Sequence, residues 1–341
     1  MAFNRLSTDI SEIIINYLLI KEAYYITRTN KENQYLIKNF YKSNMKQIPC
    51  SLEQWYRLFR KAKYANISRQ INIKDSDLIF LCNVEKLDMH LCSQNTITNE
   101  AFRHLLKLKD LDLQGCCRPW QNEHHFTNKI FDYIGNIEKL YIDDNHVITD
   151  DGVIKLSKIK DLTIKNCSEI TDKSISKLLT LRNLHIYNLH KLTNKAFLNL
   201  NIINLDITFI DITDEGILHL KNLRYLNFIS CSNIKCINFD KLTKLKILSI
   251  SGRQITDECL KYLKYIEKLT IYGCNINGSC INELTNVKIL SIYETPINDM
   301  YLDNLCTLIN IKSINIYRCP TISKSGKDKL KTIFGDKLKI D

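Results

Sequence analysis

The sequence VEKLDMHLC at residues 84–92 contains a pattern that returns through most of the chain. In this pattern an apolar residue is followed by two variable residues, a Leu, one variable residue and a second apolar residue. The central position recurs in steps of 21 to 29 residues. It is occupied by Leu87, Leu111, Leu140, Leu162, Leu184, Leu205, Leu226, Leu248, Leu269, Leu290 and Ile314. Such a period predicts a repeat architecture in which each unit buries its apolar face against its neighbours.

Each copy predicts a strand, a bend and a short helix. The alternation around Leu87 and Met89 predicts a short strand. Four copies then carry Ile-Thr-Asp, at 148–150, 170–172, 212–214 and 255–257. Thr and Asp favour helix N-caps, so we expect helices to begin there, for example over 214–223 with Ile217 and Leu220 facing inward. Five residues after the central position, six copies have a Cys that we expect to be small, buried and reduced: Cys92, Cys116, Cys167, Cys231, Cys274 and Cys319.

These units resemble the cysteine-containing subtype of leucine-rich repeats. The resemblance covers residues 67–341, with a weaker copy at Ile71-Asn72-Ile73 ahead of the first clear one. It implies an α/β leucine-rich-repeat solenoid, a right-handed horseshoe of about 11–12 repeats, with parallel strands on the concave face and short helices outside. At a strand spacing of ~4.8 Å, the concave face would be on the order of 50 Å long.

The first 66 residues do not follow the repeat. In LSTDISEIIINYL, residues 6–18, the apolar side chains form one helical stripe. This stretch resembles an F-box, which implies an F-box-like helical domain at 1–45. The residues that match are Leu6, Asp9, Ile10, Ile14, Ile15, Tyr17 and Leu18. Ser7 replaces the usual Pro, and the later Val-Cys/Ser-basic-x-Trp motif appears only as 29–33. A plain helical cap over the first repeat is the alternative.

Residues 46–66 are interpreted as a helical linker or N-terminal cap, with a helix over 51–64 that Ser51 and Gln54 begin. The F-box resemblance implies the substrate-recognition subunit of a cullin-RING ubiquitin ligase. A Skp-family adaptor would dock on Leu6, Ser7, Ile10, Ile14 and Leu18. The repeats would bind an unknown target protein, and partners would transfer ubiquitin, so we expect no catalytic residue and no cofactor. A repeat scaffold that binds protein without any ligase role remains the alternative.

Target binding is predicted on the concave face and on an insertion. The row three residues after the central position contains Tyr187, Tyr272, Tyr293 and Tyr317, and Glu294 and Arg318 follow the last two. Binding energy concentrates on Tyr, Trp and Arg; alternatively, these tyrosines are simply good strand residues. The insertion at 117–125 offers Trp120 and Arg118. A zinc site from Cys116, Cys117, His124 and His125 lacks the usual ligand spacing, so no metal is expected.

Composition limits the compartment and the partners. Residues 1–66 hold +6 of the net charge of +11. This excess suits an acidic partner; a basic nucleic-acid binder is an alternative that we do not expect. The 13 cysteines argue for a reducing compartment. Asp9 and Glu12 interrupt the apolar region that a secretory signal peptide would need. No stretch is long and apolar enough to span a bilayer. We expect a protein of the cytoplasm or nucleus, and the Ile, Asn and Lys bias suits an AT-rich viral or protist genome.

Overall fold

The computed structural model describes residues 51–92, 96–116 and 126–341. The chain divides into two compact units, Met1–Glu169 and Ile170–Asp341. The F-box-like residues 6–18 and the insertion residues Arg118 and Trp120 lie outside the described residues. Residues 1–50 are also outside the described ranges, so the predicted boundary between 1–45 and 46–66 stays a prediction.

The first unit is a parallel sheet whose strands follow chain order. Its strands are Tyr64–Asn66 (β1), Lys86–Asp88 (β2), Asp110–Asp112 (β3), Lys139–Asp143 (β4) and Asp161–Lys165 (β5). Among its described residues, the α-helices are Leu52–Leu58 (α1), Ile130–Ile134 (α2) and Asp150–Val153 (α3), and the 3-10 helices are Asp75–Leu81 and Asn99–His104. Each connection brings the chain back to the end of the sheet at which the previous strand began, as parallel pairing requires.

The second unit repeats this plan. Its strands are Asn183–Tyr187 (β6), Asn204–Thr208 (β7), Tyr225–Ile229 (β8), Ile247–Ser251 (β9), Lys268–Tyr272 (β10), Ile289–Tyr293 (β11), Ser313–Tyr317 (β12) and Leu338–Ile340 (β13). Its α-helices are Asp172–Ile175 (α4), Asp214–Leu218 (α5), Leu302–Cys306 (α6) and Lys324–Phe334 (α7). Its 3-10 helices are Asn194–Phe197, Phe239–Lys241, Asp257–Tyr262, Ile281–Glu283, Asp299–Tyr301 and Gly335–Lys337.

The predicted central positions form the core of both units. Leu87 pairs in register with Leu111, and Leu269 pairs with Leu290. All eleven central residues are at most 1% exposed. Burying each such side chain contributes roughly 1.5–3 kcal/mol. This register and the short helices between strands confirm the predicted α/β leucine-rich-repeat fold. The helix expected over 214–223 ends at Leu218, although Ile217 and Leu220 are both buried as predicted.

The repeat cysteines are buried and reduced, as predicted. The Cys92 thiol donates to the carbonyl of Ile67 at 2.9 Å, and Cys116 donates to Met89 at 3.0 Å. Burial raises the pKa of Cys92 to about 11. These thiols therefore satisfy carbonyls of the preceding repeat and stay protonated at neutral pH.

A left-handed residue ends the strand segment of every copy, four positions after the central residue. In the first unit these residues are Leu91, Gly115, Asp144 and Asn166. In the second they are Asn188, Phe209, Ser230, Gly252, Gly273, Glu294 and Arg318. The left-handed conformation turns the chain so that the next side chain points back into the core. Gly and Asn adopt it at little cost, which explains their frequency at this position.

The helix N-termini correct one prediction. Thr149, Thr171, Thr213 and Thr256 occupy the N-cap positions as expected, but among these four only the Thr171 hydroxyl accepts a backbone N–H of its own helix. The Asp or Asn at the next position, however, accepts a backbone N–H from the following repeat. The Asp172 carboxylate, for example, accepts the Thr193 N–H at 2.8 Å. We call this series the Asx ladder. Its members are Asp75, Asn99, Asn128, Asp172, Asn194, Asp214, Asp257 and Asp299.

The start of the repeats also differs from the prediction. The weak copy expected at Ile71-Asn72-Ile73 is not a strand, and Ile71 is 75% exposed. The strand before β2 is instead β1, where Ala65 pairs with Leu87. Ser51 does cap helix α1, since its hydroxyl accepts the Gln54 N–H at 3.2 Å, but the helix ends at Leu58 and leaves room for β1.

Candidate functional site

Three tyrosines lie side by side on consecutive strands of the second unit. Tyr272, Tyr293 and Tyr317 share one register position on β10, β11 and β12. The rings of Tyr293 and Tyr317 are stacked, with centroids 5.7 Å apart and planes 13° apart. The rings of Tyr272 and Tyr293 are 6.4 Å apart and tilted by 41°. We call this surface the tyrosine face.

The tyrosine face follows directly from the strand spacing. Parallel strands lie about 4.8 Å apart, so residues at equal register hold aromatic rings within the range of favourable ring contacts. Tyr272 remains 47% exposed at one side of the stack. Because the rings already support one another, a partner that covers them loses little side-chain entropy.

An ion pair lies beside the tyrosine face. Glu294 and Arg318 each follow a tyrosine, and the guanidinium donates to the carboxylate at 2.9 Å. The bond from Arg318, and a second from the Tyr272 hydroxyl, hold the pKa of Glu294 below its usual range. Both residues have φ of +54°. A charged side chain in this conformation is strained by about 1–2 kcal/mol, which a Gly would avoid.

A groove opens next to this ion pair, where the strands end. Its volume is about 630 Å³. Its lining residues are Arg253, Gly273, Cys274, Asn275, Glu294, Thr295, Pro296, Arg318, Pro320 and Thr321. Prolines thus form apolar walls, while guanidinium and amide groups supply hydrogen-bond donors. We call it the rim groove.

The fourth predicted tyrosine lies apart from the tyrosine face. Tyr187 is on β6, and its ring contacts Phe209 edge-on, with centroids 5.5 Å apart. Between it and Tyr272, the same register position holds Thr208, Ile229 and Ser251. The structure therefore brings together Tyr272, Tyr293, Tyr317, Glu294 and Arg318, but not Tyr187.

The acidic residues of the first unit have structural roles. Asp112 accepts the Gln114 N–H at 2.8 Å, and Asp143 accepts the Gly115 N–H at 2.6 Å. Burial is the main cause that raises the pKa of both carboxyls. Because these carboxylates already bind backbone groups at the ends of the strands, they offer less to a partner than their number in the sequence suggests.

Sequence reasoning missed Arg253 and Phe209. Phe209 is a left-handed residue with φ of +53° and 45% exposure, and it extends the Tyr187 contact. Arg253 occupies the position where six copies have Cys. The signal for both was present: a bulky residue stands where five other copies have Gly or Asn, and a charged residue stands where six have Cys.

Neither a metal site nor a membrane-spanning helix is found among the described residues. No group of three or more His, Cys, Asp or Glu side chains could hold a metal ion within 51–92, 96–116 and 126–341. Of the four residues weighed as zinc ligands, Cys116 is buried against the Met89 carbonyl, while Cys117, His124 and His125 lie outside the described residues. Over the same described ranges, every helix is too short or too polar to cross a membrane.

Comparison with known proteins shows the fold class. The chain is similar to a chain of the yeast Rad7 and Elc1 complex, at 15% identity and a TM-score of 0.55, over 99% of this chain and 93% of that one. It is also similar to an internalin of Listeria monocytogenes, at 19% identity and a TM-score of 0.59, over 90% and 93%. A leucine-rich-repeat protein of Leptospira interrogans gives 15% identity and a TM-score of 0.51, over 87% and 93%.

The protein thus has a leucine-rich-repeat fold, established by the register of its strands and by these neighbours. No protein-family model and no curated protein matches the sequence. The low identities limit the comparison to the fold, so the function rests on the residues of this chain.

Proposed function

We propose that the protein is a binding subunit that holds a target protein on the tyrosine face. The observation that carries the proposal is the stack of Tyr272, Tyr293 and Tyr317 beside the Glu294–Arg318 pair. Tyr and Arg dominate binding energy at protein interfaces. The charged pair occupies strained left-handed positions, which the fold itself would fill better with Gly.

We further propose that residues 1–45 act as an F-box that docks a Skp-family adaptor, which would make the protein the substrate-recognition subunit of a cullin-RING ligase. Support comes from the match of Leu6, Ile10, Ile14 and Leu18 to the F-box pattern. The likeness to a chain of the Rad7 and Elc1 complex is consistent with an assembly of two proteins. In this role the chain acts in the cytoplasm or nucleus, and its partners perform the ubiquitin transfer.

Adaptor binding is tested by capture of a purified Skp-family adaptor on the full chain. We expect the wild type to bind and the double variant Ile14→Asp, Leu18→Asp to lose binding, because a charge on the apolar stripe must be desolvated at the interface. Asn16→Asp is the control for added negative charge, since it places one carboxylate beside the stripe and not on it. If the wild type fails to bind at micromolar adaptor, the protein is a repeat scaffold without this ligase role.

Target binding is tested by quantitative affinity capture from cell extract with the full chain as bait. We expect Tyr293→Ala to lose proteins that the wild type retains, because it removes the central ring of the stack. Tyr265→Ala is the control, since Tyr265 is also exposed, at 38%, but lies on a different surface under Lys246. Equal protein sets for both variants would remove the tyrosine face as the target site.

A further inference from the structure

The charges of the rim groove are unequal. Arg318 is paired with Glu294, whose lowered pKa keeps the carboxylate ionised at neutral pH. In the part of the chain that the structure describes, Arg253 forms no hydrogen bond or ion pair, and its side chain is exposed. The groove lining thus carries two guanidinium groups against one carboxylate, and one guanidinium is unpaired.

The local structure releases Arg253 from any role in the core. In neighbouring repeats the thiols of Cys231 and Cys274, at the position of Arg253, approach the carbonyl of the preceding repeat at 3.9 Å and 3.7 Å. In this repeat the Gln254 amide instead donates to a different carbonyl of the preceding repeat, that of Cys231, at 2.9 Å. Gly252, with φ of +129°, provides the altered turn. Arg253 is therefore free to line the groove.

We propose that the rim groove binds an anionic side chain of the target, a carboxylate or a phosphate, while the flanking residues of the same segment lie on the tyrosine face. This inference rests on the proposed target-binding function. A guanidinium offers several donors in one plane and matches two anionic oxygens. Asn275 adds a neutral amide donor to the lining, and Pro296 and Pro320 add apolar surface to its walls.

Glu294 sharpens this selectivity. It fixes the Arg318 guanidinium at one side of the groove, so that the anion is received mainly by Arg253. It also repels further anionic groups elsewhere on the ligand. The groove is thus suited to a single anionic group next to apolar or aromatic residues and not to a polyanion.

The test uses immobilised peptide arrays whose central residue is Asp, Glu, phosphoserine or phosphotyrosine, or the matched Asn, Gln, Ser or Tyr. We expect the full chain to retain the anionic peptides about tenfold better, a ratio that corresponds to 1.4 kcal/mol. The comparison of the carboxylate and phosphate arms identifies the source of the anion. Arg253→Gln should abolish the preference, and Arg253→Lys should keep part of it.

Two further variants test whether the preference for anionic peptides depends on Arg253 itself, and not on net charge or on the tyrosine face. Arg224→Gln removes the same charge from an exposed position outside the groove and should leave the preference intact. Tyr293→Ala should weaken all peptides equally and leave the anionic-to-neutral ratio unchanged. The inference is overturned if the wild type shows no preference or retains no peptide, or if Arg253→Gln keeps the preference. An equal loss in Arg224→Gln would also overturn it. None of these results affects adaptor capture, which tests the ligase role separately.

Discussion

The Asx ladder predicts a strong energetic coupling between Gly216 and Asn194. The Asn194 amide accepts the Thr213 N–H at 3.0 Å and donates to its hydroxyl at 2.8 Å. A Cβ added at Gly216 would lie 2.6 Å from the Asn194 amide oxygen. Gly216→Ala must therefore displace Asn194 and break both bonds, at a cost of about 1–2 kcal/mol.

The helix propensity of Ala opposes this loss by up to ~1 kcal/mol, so the single variant alone is a weak test. A double-mutant cycle removes that ambiguity. Asn194→Ala already lacks the two bonds, and it removes the two atoms nearest to the added Cβ, which leaves the Cα of residue 194 at 3.2 Å. There the second substitution has no such bonds to break, so we expect it to stabilise the fold by up to ~1 kcal/mol through helix propensity, which gives a coupling energy of about 1–2 kcal/mol between the two sites.

The assay is equilibrium urea unfolding of the wild type, both single variants and the double variant, followed by far-UV circular dichroism. Gly273→Ala is the control for a Gly-to-Ala change: at φ of +60° its Cβ meets no atom, so it is strained but should add independently to Asn194→Ala. If the Gly216 and Asn194 substitutions also add independently, the ladder bonds do not contribute as described.

Two other predictions concern titratable groups. Burial raises the pKa of Cys274 to about 12, so at pH 8 iodoacetamide should label Cys92 and Cys274 in the unfolded chain but not in the folded one, as read by mass spectrometry. Hydrogen bonds from Lys109 and Lys63 lower the pKa of Glu85 to about 2. The stability from this triad is present above the unfolded pKa of about 4.5 and is lost as pH falls through about 2, so Glu85→Gln should destabilise the fold at pH 7 but not at pH 2. Equal unfolding midpoints at pH 7 would contradict this account of the triad.

The sequence predicts the core better than the bonds between repeats. Leu87 and its counterparts are found by period alone, because a parallel sheet of equal repeats places equal positions in register. β1 was missed because Ala65 stands at the central position, with Ala62 and Ile67 as the flanking apolar residues. A small residue keeps the register but weakens the apolar pattern by which a strand is recognised in the sequence. The larger apolar residues Ile71 and Ile73 nearby match that pattern better, although they form no strand.

The Asx ladder was not predicted for a different reason. A Thr-Asp pair at a helix start satisfies the local capping rule, and that rule assigns the side-chain oxygen to its own helix. The carboxylate of Asp172 instead reaches a backbone N–H 21 residues away. The local capping rule cannot decide which backbone N–H the carboxylate accepts, because that depends on how closely successive repeats stack.

The candidate site also has one part that the sequence predicts and one part that it does not. The alignment of Tyr272, Tyr293 and Tyr317 follows from register and was predictable, whereas the rim groove depends on the conformation of the turns that follow the strands. At those turns Gly273 meets the backbone requirement without strain, while Glu294 and Arg318 meet the same requirement at an energetic cost. A surface ion pair offsets little of that cost. Stability alone therefore does not explain the two charged residues, and their position between the tyrosine face and the rim groove favours a role in binding.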